Sequence, residues 1–139
     1  MLVFLFFLVL TNSPERLEGL KFTRQLFHKF IDTLEIKCNW KPEQIFLFGF
    51  SSGGSCALDI GLTYSKRLGG VVSISGSLLN EQLNLKNNWI STSAQNTPFL
   101  ITHGTLDEVE EIGVAKSKVN LFISFFFLKK SKHFKLIKN

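Results

Sequence analysis

Ser51 stands at the centre of Gly49-Phe50-Ser51-Ser52-Gly53-Gly54, which reads G-x-S-x-G. A serine hydroxyl works as a nucleophile when it is exposed, held near a general base, and faced by donors that stabilise the oxyanion it creates. The flanking residues predict such an exposure. Ile45-Phe46-Leu47-Phe48 is a bulky continuous run, as expected for a strand covered on both faces by helices. Gly53 to Leu62 reads as a helix with Ala57, Leu58 and Leu62 on an apolar face. Reversing the chain between the two within about four residues strains the backbone at the apex and turns the apical side chain away from the sheet. The helix N-terminus then offers backbone N–H groups to a developing negative charge. A plain glycine-rich strand-to-helix turn is the other reading of the six residues. A phosphate-cradling loop does not fit, because Ser55-Cys56-Ala57 stands where such a loop carries its lysine.

The remaining elements must position this serine. Ser13 to Asn39 has a helical pattern: Ser13 or Asn12 caps it and Pro14 suits its first turn. Glu15 and Glu18 favour the positive end of the dipole, while Leu17, Leu20, Leu26, Phe27, Phe30, Ile31 and Leu34 supply an apolar face. Leu68 to Ser75 reads as a strand ending at Ser75-Gly76, and Pro98 to Thr102 as a shorter one that runs into a Gly-bearing loop. An aspartate just past that second strand, Asp107, falls on the sheet edge where open α/β sheets place their sites. The alternative for it is a solvated loop carboxylate beside Glu108, Glu110 and Glu111. Leu78 to Gln95 is loop with at most a short helix. Met1 to Leu10, MLVFLFFLVL, reads as a buried strand in preference to a signal-peptide core. It is too short to span a bilayer as a helix and lacks a basic flank.

In order and spacing, Ser13 to Asp107 resembles the phospholipase/carboxylesterase family of α/β-hydrolases, which includes acyl-protein thioesterases and lysophospholipases. GFSSGG stands where that family usually has GFSQGG. Gly70-Val71-Val72-Ser73-Ile74-Ser75-Gly76 is similar to its V-x-x-L-S-G strand end, and Thr97 to Asp107 looks like its T-P-hydrophobic strand followed by H-G-x-x-D. The resemblance implies a three-layer α/β-hydrolase-like fold with a mostly parallel sheet, here incomplete, since 139 residues are few for the whole sheet and the family's early H-G-x-G oxyanion loop is not in the sequence. It implies Ser51 as nucleophile, Asp107 as the acid that orients a histidine, and the Ser52 N–H as an oxyanion donor. The implied substrates are carboxylic ester or thioester bonds of long-chain acyl groups, on lipidated proteins, lysophospholipids or small esters, with no cofactor and no metal. Ser75, Gly76, Leu78 and Trp89 are candidates to line the acyl groove, although covering the core is the commoner task for such residues. The contrasting function is an inactive hydrolase-like fragment acting as an interaction module.

The triad order Ser, Asp, His leaves only His133 after Asp107, and Lys132-His133-Phe134 does not match the family's G-H motif. A solvated histidine in a basic tail is the competing reading. His103 falls in the H-G block, where the family's histidine is structural, and His28 lies within the first helical pattern. The segment from Val119 to Asn139 is built almost wholly from Phe, Leu, Ile, Lys, Asn and Ser. The expected division is therefore a partial hydrolase domain over 1–118 and a biased tail over 119–139 outside the family core. The tail's lysines, at 129, 130, 132, 135 and 138, equal the chain's net charge of +5. The body is thus close to neutral and makes no case for nucleic-acid binding. Apolar content of 45% with 15 phenylalanines excludes a disordered chain. Cys38 and Cys56 have neither metal spacing nor a disulfide framework, so the expected compartment is cytoplasmic, or secreted if residues 1–10 form a signal core.

Overall fold

A computed structural model describes residues 2–5, 14–78, 89–104, 117 and 134–138, and the side chains of 17–78, 89–104 and 117. Five strands form one sheet: β1 (Leu2–Leu5), β2 (Phe46–Phe50), β3 (Gly70–Ile74), β4 (Phe99–His103) and β5 (Phe134–Lys138). Every neighbouring pair is parallel and the spatial order is β1-β2-β3-β4-β5. Helix α1 (Pro14–Cys38) joins β1 to β2, and α2 (Ser52–Thr63) joins β2 to β3. Parallel neighbours need such crossovers, which accounts for the alternation of strand and helix. Strands β2, β3 and β4 lie within about two residues of their predicted bounds, while β1 occupies only Leu2–Leu5 of the predicted Met1 to Leu10 run. The Met1 to Leu10 run contributes β1, and the Phe/Lys-rich segment contributes β5, which pairs with β4 from Phe99↔Phe134 to His103↔Lys138.

The register places Leu47, Val71 and Phe99 abreast, followed by Gly49, Ser73 and Ile101. All six are buried on the face that meets α2. Helix α2 is buried along its length from Gly53 to Leu62, so it lies inside the fold with no solvated face. Ile45, Leu47, Ala57, Ile60, Leu62 and Leu68 are wholly removed from water, each large aliphatic among them contributing about 1.5–3 kcal/mol. The other sheet face differs from expectation. β2 was expected to be covered on both sides, yet Phe46 and Phe50 are exposed and Phe48 is half-buried. Its continuous apolar run hides a period-two burial pattern, because the described helices α1 and α2 pack against each other and α2 takes one sheet face.

Helix α1 also divides its apolar residues. Leu20, Phe27, Ile31 and Leu34 turn toward the core, with Leu17 beside them. Leu26 and Phe30, expected on the same face, are exposed, because a step of one residue rotates the helix by about 100° and carries them around to the outside. Asn39, at φ 55°, ends α1 in the left-handed region, and the Trp40 N–H donates to the Leu34 carbonyl at 3.2 Å.

Four polar pairs cross from α1 to the α2 region. Arg24 donates twice to Asp59, at 2.7 and 2.6 Å; the Asp59 side chain is fully buried. His28 Nε2 lies 3.1 Å from Thr63 Oγ1, the Tyr64 hydroxyl donates to Asp32 at 2.7 Å, and Lys66 pairs with Glu35. The α1 partners sit three or four residues apart, on one side of the helix. Asp59 stands in an apolar run, Ala57-Leu58-Asp59-Ile60, and a carboxylate there signals a buried partner. That signal was available in the sequence and was missed.

Candidate functional site

Ser51 sits between the last residue of β2 and the first of α2, with φ 51° and ψ −123°. No L-residue basin covers this combination, and holding it costs on the order of 1–3 kcal/mol. The surroundings fix it. The Ser51 N–H donates to Ile74 O at 2.8 Å, which extends the β2–β3 pairing through the apex, and the Ser51 carbonyl accepts from Ser55 N at 3.1 Å as the first bond of α2. Ser51 occupies the N-cap position, but its side chain makes no capping hydrogen bond and the residue is exposed. Its hydroxyl is therefore presented outward at the C-terminal edge of a parallel sheet, where open α/β sheets bind ligands.

The turn is tight enough to require glycine beneath it. A Cβ on Gly49 would lie 2.1 Å from the Gly53 carbonyl oxygen, so the strand end and the first turn of α2 are in backbone contact. Ser52, half-buried, is the first residue of α2. The leading N–H groups of a helix have no acceptor within it, so Ser52 carries a donor of the kind an oxyanion needs, at the positive end of a 12-residue helix with no acid in its first turn.

Ser75 and Gly76 follow β3 at the same edge. Ser75 has φ 48° and donates its N–H to Thr102 O at 2.8 Å, repeating at β3 the arrangement seen at Ser51. Gly76 is buried against the start of α2: a Cβ there would lie 2.6 Å from the Gly54 carbonyl carbon. Ser55 Oγ accepts from the Ser77 N–H at 3.1 Å, which ties this loop to α2. Beneath it, the fully buried Ser73 Oγ makes no hydrogen bond among the described residues. Leu78 is buried in the main core cluster and Trp89 packs against that cluster. Ser51, Ser52, Ser75 and Gly76 thus gather at one edge, whereas Leu78 and Trp89 contribute to the core beside it.

Asp107 and His133 lie outside the described residues. His103, the last residue of β4, is buried, and His28 lies in the α1–α2 seam with its ring edge-on to Tyr64 at 5.2 Å between centroids. Burial lowers the pKa of His28, with the charge of Arg24 acting in the same direction and Asp59 and Asp32 opposing it. The register of β5 bears on the far end of the sheet. Phe50 is level with Ile74, Thr102 and Ile137, while Phe134 is level with Phe99 at the start of β4. Phe134 is therefore four residues, or roughly 13 Å, from the level of Ser51, and three strands, or roughly 14 Å, across. Among the described residues no group of His, Cys, Asp and Glu is arranged to hold a metal ion.

Comparison with known proteins agrees with this geometry. The family model described as phospholipase/carboxylesterase matches residues 5–136, a span that reaches well into the Phe/Lys-rich segment. Acyl-protein thioesterase 1 of Gibberella zeae is 35% identical over 95 residues, covering 68% of this chain and 40% of that protein. A probable carboxylesterase of Oryza sativa subsp. japonica is 36% identical over 104 residues, covering 71% of this chain and 36% of the relative. Among solved structures, Arabidopsis thaliana SOBER1 matches with a TM-score of 0.68 at 26% identity, covering 92% of this chain and 56% of its own. Esterase PE8 matches in fold with a TM-score of 0.72 at 23% identity, covering 95% and 58%. The matched segment is thus 40% or less of the length of these two curated relatives. An outward serine at a strained strand-to-helix apex, an α/β sheet shared with solved esterases and a match over nearly the whole chain place it in the phospholipase/carboxylesterase family of α/β-hydrolases.

Proposed function

We propose that this chain carries the nucleophile of a serine hydrolase that cleaves carboxylic ester or thioester bonds. The observation that carries the reading is the backbone of Ser51, φ 51° and ψ −123°, which spends conformational energy on holding an uncapped hydroxyl at the sheet edge. In this mechanism Ser51 Oγ attacks the acyl carbonyl and the Ser52 N–H receives the oxyanion. A histidine oriented by Asp107 takes the serine proton and passes it to the leaving alcohol or thiol, and water then hydrolyses the acyl-enzyme with the same histidine as base. The named activities of the relatives, acyl-protein thioesterase and carboxylesterase, support acyl thioesters and esters as the substrate class.

His133 is the histidine that chain order offers, but the register of β5 argues against it. A base must come within hydrogen-bond reach of Ser51, and Phe134, the next residue along, begins its strand near the opposite edge of the sheet. We therefore leave His133 out of the proposed mechanism. No described helix is long and apolar enough to cross a membrane. Neither Cys38, exposed, nor Cys56, buried, is in a disulfide, and a cytoplasmic location is part of this reading.

A fluorophosphonate probe tests the reading. Folded wild-type protein should be labelled and Ser51→Ala should not. Absence of labelling in the folded wild type would remove hydrolase activity from this polypeptide. His133→Ala should label like the wild type, and loss of labelling with the fold intact would restore His133 as the base.

A further inference from the structure

The outer face of α1 combines apolar and cationic side chains in a way the hydrolase reading does not use. Phe22, Leu26 and Phe30 follow one another at intervals of four residues, and are 66%, 54% and 42% exposed; Ile36 is 80% exposed on the same outward side. Phe30 meets the half-buried Phe27 edge to face, with centroids 6.3 Å apart, so the stripe is anchored on the core and holds its position. A row of this kind on a 25-residue helix offers apolar area to water along several turns.

The charges beside it are unequal in a specific sense. The acids among the described side chains of α1 are Glu18, Asp32 and Glu35, and each already has a partner: Lys21, the Tyr64 hydroxyl and Lys66 respectively. Arg24 is taken by Asp59. Lys29 and Lys37, both exposed, have no ion pair or hydrogen bond from their ammonium groups among the described residues. On the helical wheel both fall within the arc spanned by Phe30 and Ile36. The face therefore presents aromatic and aliphatic side chains with two uncompensated cations, the composition of a helix that lies in a membrane interface with its lysines at the level of the headgroups.

We propose that the outer face of α1 docks the protein on an anionic lipid surface, with Phe22, Leu26 and Phe30 entering the acyl boundary and Lys29 and Lys37 pairing with headgroup phosphate or carboxylate. The docking does not depend on the activity of Ser51, and its test uses no turnover.

The full chain is sedimented with vesicles of phosphatidylcholine alone and with vesicles that also contain phosphatidylserine. Three proteins are compared: wild type, Phe22→Ser/Leu26→Ser/Phe30→Ser, and Lys29→Gln/Lys37→Gln. Wild type should bind the phosphatidylserine vesicles in preference to the neutral ones. The triple variant should lose roughly tenfold or more of that affinity, and the lysine pair several-fold, with a weaker dependence on salt. The tail lysines supply an internal control, since binding through them alone would be indifferent to α1. Equal binding by wild type and triple variant, or no binding by wild type, overturns the proposal. So does a concentration-dependent dimer in the absence of lipid that the triple variant abolishes, because a second copy would then own the stripe. Should the triple variant fail to fold by circular dichroism, the lysine pair decides, and unchanged binding by it overturns the proposal.

Discussion

At the scale of single residues, the turn at Ser51 is a contest between backbone strain and backbone contact. Ser51 holds φ 51° because its N–H and carbonyl are both engaged, by Ile74 and Ser55. Gly49 permits this by having no Cβ. Gly49→Ala would drive a methyl group to 2.1 Å from the Gly53 carbonyl oxygen, with backbone on both sides and no flexible side chain to yield. The expected loss is about 3 kcal/mol or more, read from urea unfolding, together with loss of probe labelling in whatever fraction remains folded. Ser73 is the opposite case. Its hydroxyl is buried and makes no hydrogen bond among the described residues, so Ser73→Ala should raise stability by about 1 kcal/mol; a fall of similar size would mean that the hydroxyl has a partner. The type and placement of Ser51 were legible in the sequence because glycine spacing reports a close backbone approach. The solitary Ser73 was not, since nothing in Val72-Ser73-Ile74 tells which way the hydroxyl faces until the register with Gly49 and Ile101 is known.

At the scale of elements, α1 and α2 are joined by polar pairs whose stakes differ. Arg24→Met would leave the Asp59 carboxylate buried without its guanidinium and should cost about 3–5 kcal/mol in chemical denaturation. Arg24→Met/Asp59→Leu should recover most of that, because it removes the charge as well as its partner. His28 sets a pH dependence for the same seam. Its folded-state pKa is lowered, mainly by burial, so as pH falls through about 6.5 the unfolded chain takes up a proton that the folded chain resists. Stability should therefore decline between about pH 7 and the lower folded-state pKa, and His28→Gln should flatten that decline. The groups facing His28 are Arg24, Asp32, Asp59, Thr63 and Tyr64, and Tyr64 keeps its proton throughout because burial and its bond to Asp32 raise its pKa. Sequence periodicity located α1 to within about a residue at either end, but it assigned Leu26 and Phe30 to the core. An apolar helix of mixed faces gives no internal sign of which arc meets the protein, and that choice was made by α2.

Across the whole molecule, the sheet reaches into the segment that composition set apart. β5 pairs along its full length with β4, and compositional bias does not prevent Phe134-Lys135-Leu136-Ile137-Lys138 from offering strand backbone to a neighbour. A chain ending at Lys118 would expose the β4 edge, and should unfold at lower temperature and scatter light on standing; an unchanged Tm would mean that β5 contributes nothing to the fold. The α/β class was legible because strand-like and helix-like runs alternate, and a parallel sheet is the common outcome of that alternation. The exposed second face of β2 was not, since an uninterrupted run of large apolar residues reads alike whether one side or two is covered.

The strand order has a consequence for how the chain reaches this state. Each strand lies beside the one that precedes it in sequence, so no pairing waits for a distant part of the chain. As the polypeptide emerges during synthesis, β2 can settle on β1 once α1 is made, β3 on β2 once α2 is made, and so on in a single direction. The segments to be closed run from 19 residues between β2 and β3 to 40 between β1 and β2, and each newly formed edge is the template for the next strand. A pulse of proteolysis on ribosome-bound chains of increasing length should therefore show protection advancing from the N-terminal side, with the Ser51 turn protected only after β3 has supplied the Ile74 carbonyl that holds it.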